Sequence, residues 1–364
     1  MSVCAAENAP HIGALPRGPL GTIADVPGVS VGHCTLDEGA LQTGVTVIRP
    51  HGGDPFRDKV PAAVSVINGF GKSIGLVQVE ELGTLETPIA LTNTFGVAAV
   101  AQAQIRAAVR ANPRIGREWS TMNPLVFECN DGYLNDIQAL AVGSQHFDGA
   151  YAAASAEVAS GSVGAGRGMS CFDLKGGIGN ASRVVEAAGH RYTVGALVLA
   201  NFGRLPMLTL DGVPVGRMLS ERAAATANAA TTNTSTTTKP EQGSIIMIVA
   251  TDAPLDARQL KRLSLRAAAG LARTGSVYGH GSGDIALAFS TAYTVPHEAA
   301  FVTLPPLLAD ERLDPLFRAC ADGVEQAIVD ALWNAVSVTG RDGHRRLSLH
   351  DSAPDLSQLL KSVR

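Results

Sequence analysis

The chain has 364 residues, of which 46% are hydrophobic, 5% aromatic and 17% charged, and its formal net charge is −4. A chain of this size and composition buries a substantial core and forms one large domain or two. The weak negative charge and the lack of a Lys/Arg run argue against a nucleic acid or an anionic membrane as a partner.

Signals for secretion, membrane insertion and metal binding are also missing from the sequence. No basic stretch followed by an apolar segment opens the chain, and no apolar run approaches the roughly 20 residues that span a bilayer. The five cysteines show no CxxC spacing, and His33, His190 and His280 are too scattered to form a recognisable metal set. We therefore expect a cytoplasmic protein without a metal or cofactor.

Strands and helices are predicted throughout the chain from two kinds of pattern. Short β-branched runs predict strands, and Ala-rich segments with apolar residues three or four apart predict helices. In chain order the expected strands are 29–31, 44–49, 61–68, 88–94, 192–200, 244–250 and 284–290. The expected helices are 95–112, 136–143, 149–159, 257–274 and 317–337. This mixture predicts an α/β or α+β fold in which helices cover a sheet.

A low-complexity tract of small and polar residues occupies 223–243 and ends at Gly243–Ser244. Such a composition cannot bury enough apolar surface to order itself, so a flexible tether is expected there. An apolar, β-branched run follows, which places Ser244 on the first residue of a core strand. The tract is either an inter-domain linker or part of a precursor that cuts itself before Ser244. The cut would give this residue both a hydroxyl nucleophile and a free α-amine as its base.

Two glycine-rich turns, at 161–168 and 175–179, have several interpretations. A phosphate-binding loop at 161–168 is disfavoured, because an Ala-rich helical segment precedes it and no GK[ST] follows. Close backbone packing is the favoured explanation of that turn. Lys175 in the second turn either meets a carboxylate or is a solvated turn residue.

Polar residues at the ends of predicted strands are candidates for chemistry. Ser282 and Asp284 flank a glycine and could orient a catalytic amine, or they form a polar turn. Glu128 could receive an ammonium group and Tyr133 could donate to an oxyanion. The segment 128–133 is also typical of an Asx/Gly turn. Asn201 follows a buried strand, where its amide could donate to an oxyanion or close a turn.

The ordered set of short motifs resembles the DmpA-type aminopeptidases, which include the β-peptidyl aminopeptidases. The matching stretches cover about residues 20–300 in the family's order: 25–33, 68–71, 130–136, 175–179, 201–203, 243–244 and 281–284. The resemblance implies an αββα sandwich with the connectivity shared by ornithine acetyltransferase. It implies one catalytic domain, residues 1–364, that cleaves itself into an α chain of 1–243 and a β chain of 244–364.

The same resemblance implies roles for individual residues. Ser244 would be the nucleophile after cleavage at Gly243, and Tyr133 and Asn201 would contribute to the oxyanion site. Glu128 would receive the free ammonium of the substrate. The residues that would lie beside the nucleophile and its amine are Ser282 and Asp284.

The resemblance further implies a small peptide, amino-acid amide or ester as substrate, no cofactor, and a tetramer of αβ pairs. Position 284 holds Asp where the β-peptide-cleaving relative has Glu, so a β-peptide preference stays open beside L-amino-acid amides and D-Ala esters or amides. Two alternatives remain. One is an acyltransferase of the ornithine acetyltransferase type, which uses Thr as nucleophile, and the other is a non-catalytic two-domain binding protein with a linker.

Overall fold

The computed structural model describes residues 9–229 and 242–362. The strands are β1 Ser30–Glu38, β2 Leu41–Arg49, β3 Asp58–Gly69, β4 Thr84–Leu85, β5 Ile89–Asn93, β6 Val126–Cys129, β7 Ser170–Cys171, β8 Leu174–Lys175, β9 Gly177–Ala187, β10 His190–Asn201, β11 Gln242–Thr251, β12 Gly281–Ser290, β13 Val295–Pro296, β14 Val338–Thr339 and β15 Arg345–Arg346. The α-helices are α1 Leu76–Leu82, α2 Val97–Ala111, α3 Ser144–Ala152, α4 Val215–Ala229, α5 Ala257–Arg273, α6 Asp314–Trp333, α7 Leu349–Ser352 and α8 Leu356–Ser362.

Two sheets form the centre of the molecule. The smaller one has four strands in the order β1-β2-β5-β6. The larger one has seven strands in the order β13-β3-β12-β11-β10-β9, with β4 paired to β3. In the larger sheet, β11 runs parallel to β12 and antiparallel to β10, so it is enclosed on both edges by other strands.

Apolar side chains divide among three layers, as an αββα sandwich requires. Between the sheets lie Ile48 and Phe127 of the smaller sheet and Leu197 and Ile246 of the larger one, all fully buried. The outer face of the larger sheet packs against α5 and α6, and that of the smaller sheet against α2 and α3. The predicted sandwich is confirmed.

The N-terminus of α5 shows how the sequence sets a helix boundary. Asp256 caps the helix by accepting a hydrogen bond from the Gln259 backbone N–H at 2.7 Å, and the Gln259 side chain accepts one in return from the Asp256 N–H. This reciprocal capping box satisfies two backbone donors that would otherwise lack partners. The apolar side of the helix, with Leu260 and Leu263, is buried against the sheet.

The predicted helices at 136–143 and 149–159 are wrong in their bounds. A single 3-10 turn covers Ile137–Ala139, and it ends at Leu140, whose φ is +50°. Beyond α3, the chain leaves the helix because Ser155 pairs with Val31 through two backbone hydrogen bonds of 2.9 and 3.1 Å. Tertiary pairing with a strand therefore overrides the local helical pattern.

The predicted tether at 223–243 also differs from the structure at both ends. Helix α4 continues to Ala229, because the Ala-rich start of the tract favours helix continuation. Strand β11 begins at Gln242, so Ser244 is its third residue and not its first. Residues 230–241 of the tract lie outside the described residues. In the described part of the chain, no helix is both long and apolar enough to cross a membrane.

Candidate active site

Ser244 lies in the middle of the larger sheet, where it pairs with Asn201 of β10 and Gly283 of β12. Its hydroxyl donates to the Gly243 carbonyl oxygen at 2.6 Å and accepts from the Gly283 backbone N–H at 3.2 Å. Side chains alternate along a strand, so Ser244 shares the face of Ile246, which points into the layer between the sheets. The hydroxyl therefore lies against the peptide bond that precedes its own residue, in a site that is only 5% exposed.

Gly243 occupies a position that only glycine fits. Its φ is +154°, a conformation that residues with a side chain rarely adopt. A Cβ atom there would lie 2.1 Å from the Asn201 carbonyl oxygen and 2.8 Å from the Phe202 Cα. The chain before Ser244 is therefore held in a geometry that any side chain would disrupt.

Asn201 is buried beside Ser244 and fixed at both ends of its amide. Its Oδ1 accepts from the Ser170 backbone N–H at 2.8 Å, and its Nδ2 donates to the Asn130 carbonyl oxygen at 2.9 Å. A primary amide has two N–H donors, so this arrangement leaves the second N–H for an additional acceptor.

Tyr133 follows Asn130 by three residues and is 39% exposed. Its ring stacks on His344 with centroids 4.7 Å apart, and the guanidinium carbon of Arg346 lies 3.8 Å from its ring centroid. His344 Nδ1 also hydrogen-bonds the Tyr133 carbonyl oxygen at 2.8 Å. The orientation of Tyr133 therefore depends on the C-terminal hairpin of β14 and β15.

Glu128, in β6, is buried and already partly satisfied. Its carboxylate accepts from the Lys72 backbone N–H at 2.7 Å and from the Thr94 hydroxyl. A carboxylate can accept about four hydrogen bonds, so capacity remains for a cation. The backbone at Gly71 connects this group with Ser244, because it packs against Gly283, the strand partner of Ser244.

Ser282 and Asp284 form a hydrogen-bonded pair on β12. The Ser282 hydroxyl donates to Asp284 Oδ1 at 2.6 Å, and both side chains are buried. They flank Gly283 and, by strand alternation, lie on the helix-facing side of the sheet. The Asn68 side chain holds this segment by donating to the carbonyl oxygens of Gly279, at 3.0 Å, and of Ser282.

A family model described as peptidase family S58 matches residues 21–346. The chain belongs to peptidase family S58. It is 39% identical to the β-peptidyl aminopeptidase BapA of Sphingosinicella microcystinivorans, over 95% of this chain and 89% of the relative.

Solved structures of similar proteins extend over nearly the whole S58 chain. The PH0078 protein from Pyrococcus horikoshii OT3 has 45% sequence identity and a TM-score of 0.89, with 97% of each chain covered. The L-aminopeptidase D-Ala-esterase/amidase from Ochrobactrum anthropi, described as a variant of the Ntn hydrolase fold, has 34% identity and a TM-score of 0.86, again with 97% of each chain covered. The predicted class is confirmed: this S58 peptidase is a self-processing serine aminopeptidase of the N-terminal-nucleophile type.

Neither sequence interpretation of Lys175 in the S58 peptidase is correct. The residue is fully buried, and its Nζ donates to the carbonyl oxygens of Gly166 (2.9 Å), Met169 (2.9 Å) and Gly176 (2.7 Å). Burial lowers the pKa of this amine well below its usual range. The lysine joins the two glycine-rich turns instead of meeting a carboxylate or solvent.

The close-packing interpretation of the turn at 161–168 is confirmed. A Cβ on Gly166 would lie 2.5 Å from the Ile178 backbone nitrogen, and one on Gly161 would lie 2.1 Å from the Asn334 carbonyl oxygen. The glycines of this turn therefore allow backbone segments to approach one another.

Sequence reasoning missed the residues that hold the predicted site in place. Thr94, Ser170, His344 and Arg346 each contact a predicted site residue or its backbone. His344 and Arg346 lie more than two hundred positions from Tyr133 in a short polar segment, so no local pattern points to them. Thr94 and Ser170 are single hydroxyl residues at a strand end or in a short strand, which is equally uninformative.

A cavity of about 1000 Å³ lies away from the nucleophile of the S58 peptidase. Residues from the N-terminal arm, β9, the end of α6 and the C-terminal segment line it, including Arg17, Asn180, Asp330 and His350. None of the predicted site residues is among those that line it. This cavity therefore does not coincide with the predicted site around Ser244.

Proposed function

We propose that this S58 peptidase cleaves its own Gly243–Ser244 bond and then acts as an aminopeptidase with Ser244 as its N-terminal nucleophile. The observation that carries the proposal is the geometry of this bond. The Ser244 hydroxyl lies 2.6 Å from the Gly243 carbonyl oxygen, and the residue before it must be glycine. Such a juxtaposition supports an intramolecular attack, because the reacting groups are already in contact.

Maturation proceeds by an acyl shift followed by hydrolysis. Ser244 Oγ attacks the Gly243 carbonyl carbon, and the peptide C–N bond breaks as the proton of the hydroxyl passes to the leaving nitrogen. The resulting ester links Gly243 to Ser244 Oγ. Water hydrolyses this ester, which leaves a carboxylate on Gly243 and a free α-amine on Ser244.

The mature enzyme then uses that amine as its general base. A free α-amine has an ordinary pKa of about 7.7–8.0, so a useful fraction is neutral near pH 7. It takes the proton of Ser244 Oγ as the hydroxyl attacks the substrate carbonyl, and no histidine is required. The proton goes on to the leaving amine or alcohol, and water releases the acyl group from Ser244.

Tyr133 and Asn201 would stabilise the oxyanion in both reactions. The Asn201 amide adjoins the nucleophile through the β10–β11 pairing and keeps one N–H available. Tyr133 lies three residues after Asn130, and the Asn130 carbonyl oxygen accepts a hydrogen bond from the Asn201 amide. Ser282 and Asp284 lie beside the register partner of Ser244, which supports a role in orienting the backbone amine.

The proposed substrate is a small molecule whose first residue carries a free ammonium, with Glu128 as its ion-pair partner. The relatives differ in what their names state: one is a β-peptidyl aminopeptidase, and another is an L-aminopeptidase with D-Ala-esterase/amidase activity. We therefore propose testing L-amino-acid amides, D-Ala amides and esters, and β-peptides side by side. An N-acetylated version of each substrate removes the ammonium and serves as the control, since it should not be cleaved.

The intact mass of the purified protein, measured under denaturing conditions beside Ser244→Ala, tests self-cleavage. We expect two wild-type fragments, the second starting at Ser244, and one uncut variant chain. A single uncut wild-type chain would contradict cleavage at this bond. Cutting of the Ser244→Ala chain at the same bond would show that another group is the nucleophile.

Assembly as a tetramer of αβ pairs and a cytoplasmic location are further parts of the proposal. An exposed apolar segment supports self-association: Phe301 is 93% exposed, and Val302 and Leu304 beside it are also exposed. Exposed apolar patches commonly mark contacts between protein chains.

A further inference from the structure

Two groups, one aromatic and one cationic, hold the Tyr133 ring. The His344 ring lies nearly parallel to it, at 13° and a centroid distance of 4.7 Å. The guanidinium carbon of Arg346 lies 3.8 Å from the same ring centroid. Both groups therefore contact the ring and restrict its orientation.

The Arg346 guanidinium is itself fixed by a second contact. Its Nε donates to the Ser170 hydroxyl at 3.2 Å. The Ser170 backbone N–H is the group that holds Asn201 Oδ1 at 2.8 Å. The arginine thus lies between the two residues proposed as oxyanion donors, and Ser170 anchors it there.

An ordinary ion pair does not explain this placement. The nearest carboxylate contact of Arg346 is Asp173 at 3.8 Å, whereas Arg204 already pairs with that carboxylate at 3.0 Å. Partly exposed pairs of this length contribute little to stability. The contact of Arg346 with the Ser170 hydroxyl is shorter than this ion pair. A planar guanidinium also stacks well on an aromatic ring.

We propose that Arg346 is a positioning residue that orients the Tyr133 hydroxyl for oxyanion stabilisation. The inference rests on the proposed function, in which Tyr133 donates to the oxyanion. A cation over the ring face attracts the ring electrostatically, and so holds the Tyr133 hydroxyl in the orientation in which it donates to the developing oxyanion. Because this effect appears in the transition state, it acts on kcat and leaves KM nearly unchanged.

A double-mutant cycle with Arg346→Met and Tyr133→Phe tests the inference. The Phe ring keeps the packing surface and removes only the hydroxyl. Mass spectrometry first establishes that each variant is cut before Ser244. The kcat and KM of each variant are then measured with an amino-acid amide that the wild type cleaves. If a variant is cut only slowly, the rate of precursor cleavage replaces kcat in the same cycle, since that step needs the same oxyanion site.

We expect Tyr133→Phe to lower kcat about 10²-fold, the usual effect of losing one oxyanion donor. Arg346→Met should lower it about tenfold, the effect of losing a partly desolvated cation–π contact. In the Tyr133→Phe background, Arg346→Met should cause no further loss, because the hydroxyl through which it acts is gone. Arg346→Lys should recover only part of the rate, since an ammonium lacks the planar fork.

Arg345→Met is the matched control, because Arg345 is the exposed neighbour on the same strand. It should leave kcat unchanged. An unimpaired Tyr133→Phe would overturn the oxyanion role of Tyr133 and with it the basis of the inference. An impaired Tyr133→Phe combined with a wild-type rate for Arg346→Met, or with the same loss in both backgrounds, would overturn the positioning role alone.

Discussion

At the scale of single residues, Gly243 shows how a backbone requirement can mark a reactive bond. A positive φ alone would tolerate some side chains at a cost, but the approach of the Asn201 carbonyl leaves no room for a Cβ. The Gly243 carbonyl oxygen also accepts from the Ser244 hydroxyl at 2.6 Å. The steric requirement for glycine and the contact proposed to lead to cleavage therefore meet at one residue.

Replacing Gly243 by Ala should strongly slow self-cleavage, because the new Cβ would displace the chain from Asn201. We expect a large fraction of uncut precursor where the wild type is fully cut, as measured by intact mass over time. Gly189→Ala is the matched control, since Gly189 has a φ of +78° but no atom within 4 Å of a Cβ. Normal cleavage of Gly243→Ala would show that the close approach is not required.

Asp131 predicts how stability depends on pH. Burial raises its pKa from 3.8 to about 6, against the opposing hydrogen bonds of Thr43 and Asn135. Because the pKa of Asp131 is higher in the folded than in the unfolded protein, the stabilising contribution of this group is fully present below about pH 4. This contribution is lost as the pH rises through about 6.

We therefore expect the free energy of unfolding of the wild type to fall by about 2–3 kcal/mol between about pH 4 and pH 7, relative to Asp131→Asn. The side-chain amide of the Asp131→Asn variant stays neutral at every pH, so the stability of this variant lacks the pH-dependent contribution. Urea unfolding of both proteins across this range measures the difference. Parallel pH profiles would contradict the raised pKa of Asp131.

At the scale of elements, the position of Ser244 depends on the segment that precedes β12. Asn68, near the end of β3, donates to the carbonyl oxygens of Gly279 and Ser282 and so fixes the entry into that strand. Gly283, the third residue of β12, donates its backbone N–H to the Ser244 hydroxyl. The ends of β3, β11 and β12 therefore form one hydrogen-bonded unit.

Asn68→Ala should lower kcat about tenfold and destabilise the fold by about 1–2 kcal/mol, since two partly buried carbonyl groups would lose their donor. Steady-state kinetics and thermal unfolding measure the two effects. Val66→Ala on the same strand serves as the control, because Val66 is 52% exposed and faces solvent. Equal behaviour of the two variants would mean that Asn68 does not organise the site.

Much of this element-scale arrangement could be predicted from the sequence. The β-branched runs of β3, β5, β10 and β11 and the apolar spacing of α2, α5 and α6 are strong local signals, and the structure has all of these elements. The order of the short motifs predicts the site residues, and their roles stay a prediction. Local signals failed where a distant partner decides the conformation, as at Ser155, which pairs with Val31, and at Arg346, which contacts Tyr133.

At the scale of the whole molecule, the exposed segment around Phe301 follows β13 and precedes α6. Its apolar side chains contrast with the buried ones of the three core layers. An apolar residue that is 93% exposed is costly to leave in water, and contact with another copy of the chain would bury it.

Phe301→Asp should reduce the mass of the native assembly, because a charge in a buried contact is unfavourable. Size-exclusion chromatography with light scattering measures that mass. Val77→Asp is the control, since Val77 is also highly exposed, at 85%, but lies on α1. An unchanged assembly in Phe301→Asp would place the contact between copies elsewhere.

The enclosure of β11 between β10 and β12 also has a genetic consequence. Under the proposed cut before Ser244, the residues before the cut supply one neighbour of this strand, and the residues after it supply the other. A mature molecule can therefore exchange fragments with another only by dismantling its central sheet. Each molecule therefore keeps both fragments of its own precursor. Two inactive alleles, one altered in each fragment, are not expected to complement one another by exchanging fragments.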